Sequence, residues 1–365
     1  MRTDRALTTP GGLARQMATL WERQAADWPM LAAGITGLRQ SQTRSFNVGG
    51  SHVIAQCNPC RIRSASAKTD PSSIAARPCF LCPDNLPDAQ HGITYHDNWL
   101  ILCNPAPIFE PHFTIASIAH EPQCAGPAIG TMFDLVRDLE GAYTVFYNGP
   151  RCGASAPDHP HVQATPAGAM PFETELAAEL CSPHDRGETR WLEWIRTGPV
   201  RVGTSRASRR PVVVLISSEK KTLINTLEEV IEALAAEPLA VTNITPKRRV
   251  SEKACEENKR QHLCHGQIRP AAYEPMFNLF ATFVEDRWIA WLFPRAAHRP
   301  AVYGDGPDDY LISPGAVDLA GVVIVPRCPD FDRLDAPAIQ LILGEVLLSP
   351  GAFARLRDRL AAARK

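Results

Sequence analysis

Two short passages of this chain carry residue types that can do chemistry together. The first runs from Asn148 through Gly149, Gly153, Ala154 and Ser155 to His159, Pro160, His161 and Gln163. Its glycines, alanine and serine make a small-residue loop whose backbone N–H groups can approach phosphate oxygens unobstructed. His159, His161 and Gln163 alternate, and an extended strand would project all three from one face. A neutral imidazole, with an ordinary pKa of about 6.5, is a competent nucleophile at neutral pH. A glutamine two residues on can hydrogen-bond a phosphoryl oxygen without adding negative charge. A His-x-His pair alone reads as two surface histidines; the loop and the glutamine turn the reading toward attack on phosphorus.

The second passage is Cys79-Phe-Leu-Cys82, the two-ligand bite of a tetrahedral zinc. A second pair, Cys57-Asn-Pro-Cys60, lies residues 61–78 upstream and allows a four-cysteine zinc ribbon. The cysteines total 11, an odd number scattered along the chain, so a disulfide framework is not expected. Nucleotide phosphates need fixed cations, and arginine offers two parallel donors. Arg61, Lys68 and Arg77 cluster in one segment, and Arg295, His298 and Arg299 in another. Arg61, Lys68, Arg295 and His298 are the candidates carried forward. His112 reads equally as an ordinary strand-end histidine or as a neighbour of the site. No Walker lysine motif and no G-x-G-x-x-G fingerprint occur, which argues against a P-loop kinase or a dinucleotide dehydrogenase.

The elements that must hold these residues follow from periodicity. Leu13, Met17, Leu20, Trp21, Trp28 and Leu31 recur at helical spacing and predict one or two helices ending near Gly34–Gly37. Residues 44–57 predict strands joined by a Gly49-Gly50 turn, and the small polar residues 64–78 a loop. Strands are expected at 99–103, 112–117, 143–147, 159–164, 211–216, 277–284, 288–293 and 321–325. Helices are expected at 128–140, 223–235 and 336–363, the last broken at Ser349-Pro350-Gly351. The passage 183–210 reads as polar and connecting, and residues 246–262 as a solvated, charge-rich stretch. Strands in hairpins with loosely alternating helices favour an α+β fold with antiparallel sheet.

The pattern of Asn-Gly, Gly-Ala-Ser and His-Pro-His-x-Gln resembles the galactose-1-phosphate uridylyltransferase and diadenosine tetraphosphate phosphorylase branch of the histidine triad superfamily. Cys79-Phe-Leu-Cys82, Asn104-Pro-Ala-Pro-Ile108 and the Gly153–His159 run resemble a bacterial, uncharacterised group within it. The resemblance spans roughly Gln56 to Asp332. It implies two histidine-triad-like halves, residues 1–185 catalytic and 186–365 completing the pocket. It implies that His161 takes up a nucleoside monophosphate, that Gln163 orients the phosphoryl group, and that Asn148 and Ser155 contact phosphate or leaving group. It also supplies His120 and His159 as the remaining ligands of a structural zinc, beside the four-cysteine alternative. The substrate would be a nucleoside diphosphate sugar or a dinucleoside polyphosphate, with phosphate or a sugar phosphate as acceptor. A hydrolase of the same fold, or a nucleotide-binding module without turnover, are the other readings.

Composition sets the outer bounds. A 365-residue chain that is 45% hydrophobic and 21% charged can bury a sizeable core. A net charge of −1 gives no global pull toward nucleic acid or an anionic membrane. No membrane span and no signal peptide are expected, so the reading is cytoplasmic, with a homodimer left open.

Overall fold

The computed structural model describes residues 3–6, 9, 11–67, 69–181, 191–206, 209–237 and 274–363. Lys68, the stretch 246–262 and the boundary expected between residues 185 and 186 lie outside them. Among the described residues no helix is long and apolar enough to cross a membrane.

The architecture is α+β, built on an 11-stranded sheet ordered β1-β4-β5-β6-β8-β7-β12-β13-β11-β10-β9. β1 is Thr3–Arg5, and it joins β4 (Gly92–Tyr95) in parallel. β4 continues antiparallel through β5 (Trp99–Cys103) and β6 (Phe113–Ser117). The helix Ala125–Asp138 follows, then β7 (Tyr143–Asn148) and β8 (His161–Pro166), with β8 inserted between β6 and β7. The chain then repeats this connectivity. β9 (Leu192–Arg196), β10 (Arg201–Ser205) and β11 (Val213–Ser217) precede the helix Lys220–Ala235. β12 (Phe277–Val284) and β13 (Arg287–Pro294) come after it, with β13 inserted next to β11. The two five-strand units join edge to edge where β7 pairs with β12, Asn148 opposite Asn278. The hairpin of the second unit, 277–294, contains no histidine, so only the first unit carries a nucleophile candidate there.

Side-chain alternation on these strands builds two cores, one on each sheet face. Val145 and Tyr147 of β7, with Ala290 and Leu292 of β13, pack under helices on one face. Helix Gly12–Asp27 closes that face through Leu13, Met17, Leu20 and Trp21, and helix Pro29–Arg39 through Leu31 and Ile35. Phe146, Trp291 and Phe293 point to the other face. A small sheet covers it, with β3 (Ser51–Cys57) between an antiparallel β2 (Gln42–Val48) and a parallel β14 (Val322–Val325). β2 and β3 meet through Gly49 and Gly50, at φ of 57° and 75°, the left-handed pair that a tight hairpin requires.

Four local expectations are corrected. The second helix runs through Gly34 and Gly37 to Arg39. These glycines are close-approach positions: a Cβ on Gly34 would lie 2.1 Å from the Pro105 carbonyl oxygen, and one on Gly37 2.4 Å from Cys60 Sγ. The segment 64–78 begins within the short helix Ile62–Ala65 and contains a second, Pro71–Ala75, capped by the Asp70 carboxylate. The passage read as polar holds the β9–β10 hairpin, because buried Leu192, Val200 and Val202 outweigh its polar residues. His159 precedes β8 rather than sitting in it, since Pro160 cannot donate to the ladder.

The glycine argument predicts opposite signs in two helices. Gly34→Ala forces a backbone carbonyl aside and should cost about 2 kcal/mol or more in urea unfolding. At Gly130, in helix Ala125–Asp138, a Cβ would meet nothing within 4 Å. Gly130→Ala should therefore gain about 0.5–1 kcal/mol.

Candidate functional site

The end of β7 and the start of β8 are fastened by one buried side chain. Gln123 Oε1 accepts the His161 N–H at 2.8 Å, and its Nε2 donates to the carbonyls of His161 at 2.9 Å and Asn148 at 3.0 Å. This fixes the His161 backbone, and a further contact fixes its ring. His161 Nδ1 lies 2.9 Å from the carbonyl oxygen of His159. A carbonyl only accepts, so Nδ1 carries the proton and Nε2 holds the lone pair. Burial pushes the His161 pKa down to about 4, so the ring is neutral at pH 7. The ring lines a cavity of about 710 Å³.

Gln163 stands two residues along the same strand and lines the same cavity. Its Oε1 is 2.9 Å from His112 Nε2, and His112 Nδ1 accepts the Ile108 N–H at 3.2 Å. His112 is therefore an Nε2–H tautomer that donates to Gln163, and burial lowers its pKa to about 3. The relay leaves the Gln163 NH₂ as the group available to a ligand. His112 thus touches a residue that lines the cavity, as the reading that made it a neighbour of the site expected.

Gly153 and Ser155 line the cavity, whereas the buried Ala154 does not. Gly153 sits at φ 95°, and a Cβ there would come 2.7 Å from Gly315 Cα, so the loop packs directly on the 315–316 turn. Asn148 ties both together: its Oδ1 accepts from Asn278 Nδ2 and from the Ala316 N–H, each at 2.8 Å. Its Nδ2 is then the donor left for the cavity it lines. Asp318 braces the opposite wall, accepting from Gly315 N at 2.8 Å and Ile324 N at 2.9 Å, and burial raises its pKa to about 6.

The cations divide sharply. Arg61 lines the cavity. Its Nη1 donates to the Ala106 carbonyl, and its Nε is buried with no partner. Burial lowers its pKa to about 10, which leaves it charged at neutral pH. Arg77 also lines the cavity. Arg295 is not brought there. Its buried guanidinium donates to the carbonyls of Val346, Pro314, Ala297 and His298 and to Asn278 Oδ1. All five of its N–H groups are used, so it braces the end of β13. His298 is half-buried and is not among the residues that line the cavity. Sequence reasoning missed Gln123 and gave Asp318 no role, because their work is done on backbone groups, which leave no side-chain motif.

Beside His161, the side chains of Cys79, Cys82, His120 and His159 place their N and S atoms within 4.8 Å of one another. His120 Nδ1 and His159 Nδ1 are 3.3 Å apart, and Cys82 Sγ is 3.2 Å from the first and 3.7 Å from the second. Cys79 Sγ is 3.5 Å from His159 Nδ1. A tetrahedral zinc separates two nitrogens by roughly 3.3 Å and nitrogen from sulfur by roughly 3.5 Å, so the donor set fits one. His159 Nε2 donates to the Ser117 carbonyl at 2.7 Å, which leaves Nδ1 as its ligand atom. The four-cysteine alternative is not assembled. Cys57 Sγ instead lies 3.2 Å from Cys328 Sγ, and Cys60 packs on Gly37.

A family model described as a domain of unknown function (DUF4922) matches residues 20–166. No curated protein matches the chain. Among solved structures, the chain is similar to yeast Ap4A phosphorylase Apa2, at 15% identity and a TM-score of 0.47, covering 91% of this chain and 97% of that one. The same enzyme in complex with AMP gives 15% identity, TM-score 0.47 and coverage of 90% and 96%. Its complex with Ap4A gives 13%, 0.47, 90% and 97%.

Proposed function

We propose that the protein is a nucleotidyltransferase that carries a nucleoside monophosphate on His161 between a phosphorylated donor and a phosphate acceptor. The observation that carries this reading is the His161 ring: neutral, with Nδ1–H held by the His159 carbonyl, and Nε2 left as a nucleophile on a cavity lined by phosphate-type donors. Nε2 gives its lone pair to the α-phosphorus of a nucleoside diphosphate sugar or dinucleoside polyphosphate. The bond from phosphorus to the bridging oxygen breaks, and the leaving phosphate takes that electron pair. The Gln163 NH₂, Arg61 and the backbone at Gly153–Ser155 stabilise the charge that develops. An oxygen of inorganic or sugar phosphate then attacks phosphorus, and the P–N bond breaks with its electrons returning to Nε2.

Incubation with a reactive donor and no acceptor should add the mass of one nucleoside monophosphate, in a bond stable to base and labile to acid. His161→Ala should remove the adduct and lower turnover at least about a thousandfold. Turnover by a folded His161→Ala variant at a rate near wild type, or an adduct mapped to another residue, would contradict the reading.

We further propose that Cys79, Cys82, His120 and His159 hold zinc. The metal would supply structural closure, fixing the 79–82 loop against the turn that leads into β8. Purified protein should carry about one zinc per chain. Cys82→Ser should lose it and lower the Tm by a few degrees or more, whereas Cys57→Ser should keep it. Metal-free protein prepared without chelator, at full stability, would argue against the site.

A further inference from the structure

Apart from the Cys/His quartet, two more cysteines meet in the fold from distant parts of the chain. Cys57 Sγ lies 3.2 Å from Cys328 Sγ, although 271 positions separate them. Cys57 closes β3, opposite Val325 at the end of the parallel β14. The Asn58 N–H donates to the Val325 carbonyl at 3.1 Å, so the ladder runs one bond past the cysteine. The chain then turns through Pro326 and Arg327, and Cys328 opens the helix Cys328–Arg333. That start is braced. Arg327 Nε donates to Asp330 Oδ2 at 2.7 Å, and Asp330 Oδ1 accepts from Arg333 at 3.0 Å. The two sulfurs are thus brought together from two braced supports.

The two thiols differ in access. Cys57 is buried, at 3% exposure, whereas Cys328 is exposed. Burial, and after it the neighbouring Cys328 sulfur, push the Cys57 pKa up, so Cys57 is a thiol at neutral pH. An exposed cysteine in direct contact with a buried one is the arrangement of an oxidant-accessible thiol and its resolving partner. The sulfurs stand roughly 1 Å farther apart than the two atoms of a disulfide, a gap that rotation about the Cα–Cβ bonds can close.

We infer that Cys57 and Cys328 form a reversible disulfide, a redox latch between β3 and the helix that follows β14. The oxidant is a hydroperoxide. The Cys328 sulfur attacks a peroxide oxygen and the O–O bond breaks, leaving a sulfenic acid on Cys328 and releasing an alcohol, or water from hydrogen peroxide. The Cys57 sulfur then attacks the Cys328 sulfur. The S–O bond breaks, and the hydroxyl departs with the Cys57 proton as water. The two thiols lose two electrons and the peroxide gains them. A dithiol reductant reverses the change by exchange. The latch brackets the cavity, since Arg61 follows Cys57 in the chain, Ile324 precedes Cys328, and both line it. The inference stands apart from the nucleotidyltransferase reading, because it concerns the support of the cavity and not the chemistry within it.

The test treats the full chain with a small excess of hydrogen peroxide, followed by digestion without reduction and mass spectrometry. The Cys57 and Cys328 peptides should appear joined, lighter by two hydrogens than the two thiol peptides together. Because the closed loop is long, peroxide should raise the Tm of wild type by about 5 °C or more relative to its effect on Cys328→Ser. That variant alters an exposed residue and shares any effect of peroxide on Cys79 and Cys82. Dithiothreitol should abolish the difference. Cys328 recovered as an unpaired sulfinic acid or joined to Cys60, or both cysteines left as free thiols while others oxidise, overturns the inference. So does a Cys57–Cys328 bond that leaves the two proteins equally shifted in Tm.

Discussion

One hydrogen bond organises the site: the carbonyl of His159 accepting from Nδ1 of His161. It fixes which nitrogen of the buried ring keeps a lone pair, and thereby which edge of the ring can react. The residue supplying that carbonyl is itself pinned at both ring nitrogens. Its Nε2 donates to Ser117, and its Nδ1 belongs to the cluster with Cys79, Cys82 and His120. Proline at 160 holds the intervening backbone extended. The Cys/His cluster is thus linked, through two peptide units, to the carbonyl that sets the tautomer of the residue proposed to react.

The remaining walls repeat this logic, with each candidate side chain oriented by a group that can act in only one sense. A backbone N–H at Ile108 makes His112 an acceptor at Nδ1, so His112 must donate to Gln163, and Gln163 must turn its amide nitrogens outward. Asn148 accepts from both Asn278 and Ala316, so its amide nitrogen is the end left over. Burial reinforces these assignments by holding both histidines neutral. The result is a cavity that presents one nucleophilic nitrogen and several donors, a charge pattern suited to phosphate.

What the sequence disclosed follows a physical division. Strands rich in β-branched and aromatic residues, such as 143–148, 277–284 and 287–294, were legible, because burial on both sheet faces demands near-continuous apolar runs. The spacing of Cys79 and Cys82 is local and visible in the sequence, and the structure gathers the pair with His120 and His159. Arg295 misled because a charged residue beside a strand looks alike whether its fork meets solvent, ligand or five protein acceptors. Gly34 and Gly37 misled because a glycine that ends a helix and one that admits a neighbour's backbone have the same letter. Gln123 left no signal at all, since its three partners are backbone atoms distant in sequence. The edge-to-edge junction of β7 and β12 is also non-local, and no sequence repeat announces the recurring connectivity.

The central claim is that His161 is held as a neutral ring with its proton on Nδ1 and its lone pair on Nε2. Nitrogen-15 correlation spectra of histidine-labelled protein at neutral pH report this directly, with the His161 signals assigned by their loss in His161→Gln. The account predicts a protonated, pyrrole-type Nδ1 and an unprotonated, pyridine-type Nε2, with no imidazolium. A proton found on Nε2, or a doubly protonated ring at neutral pH, would contradict it.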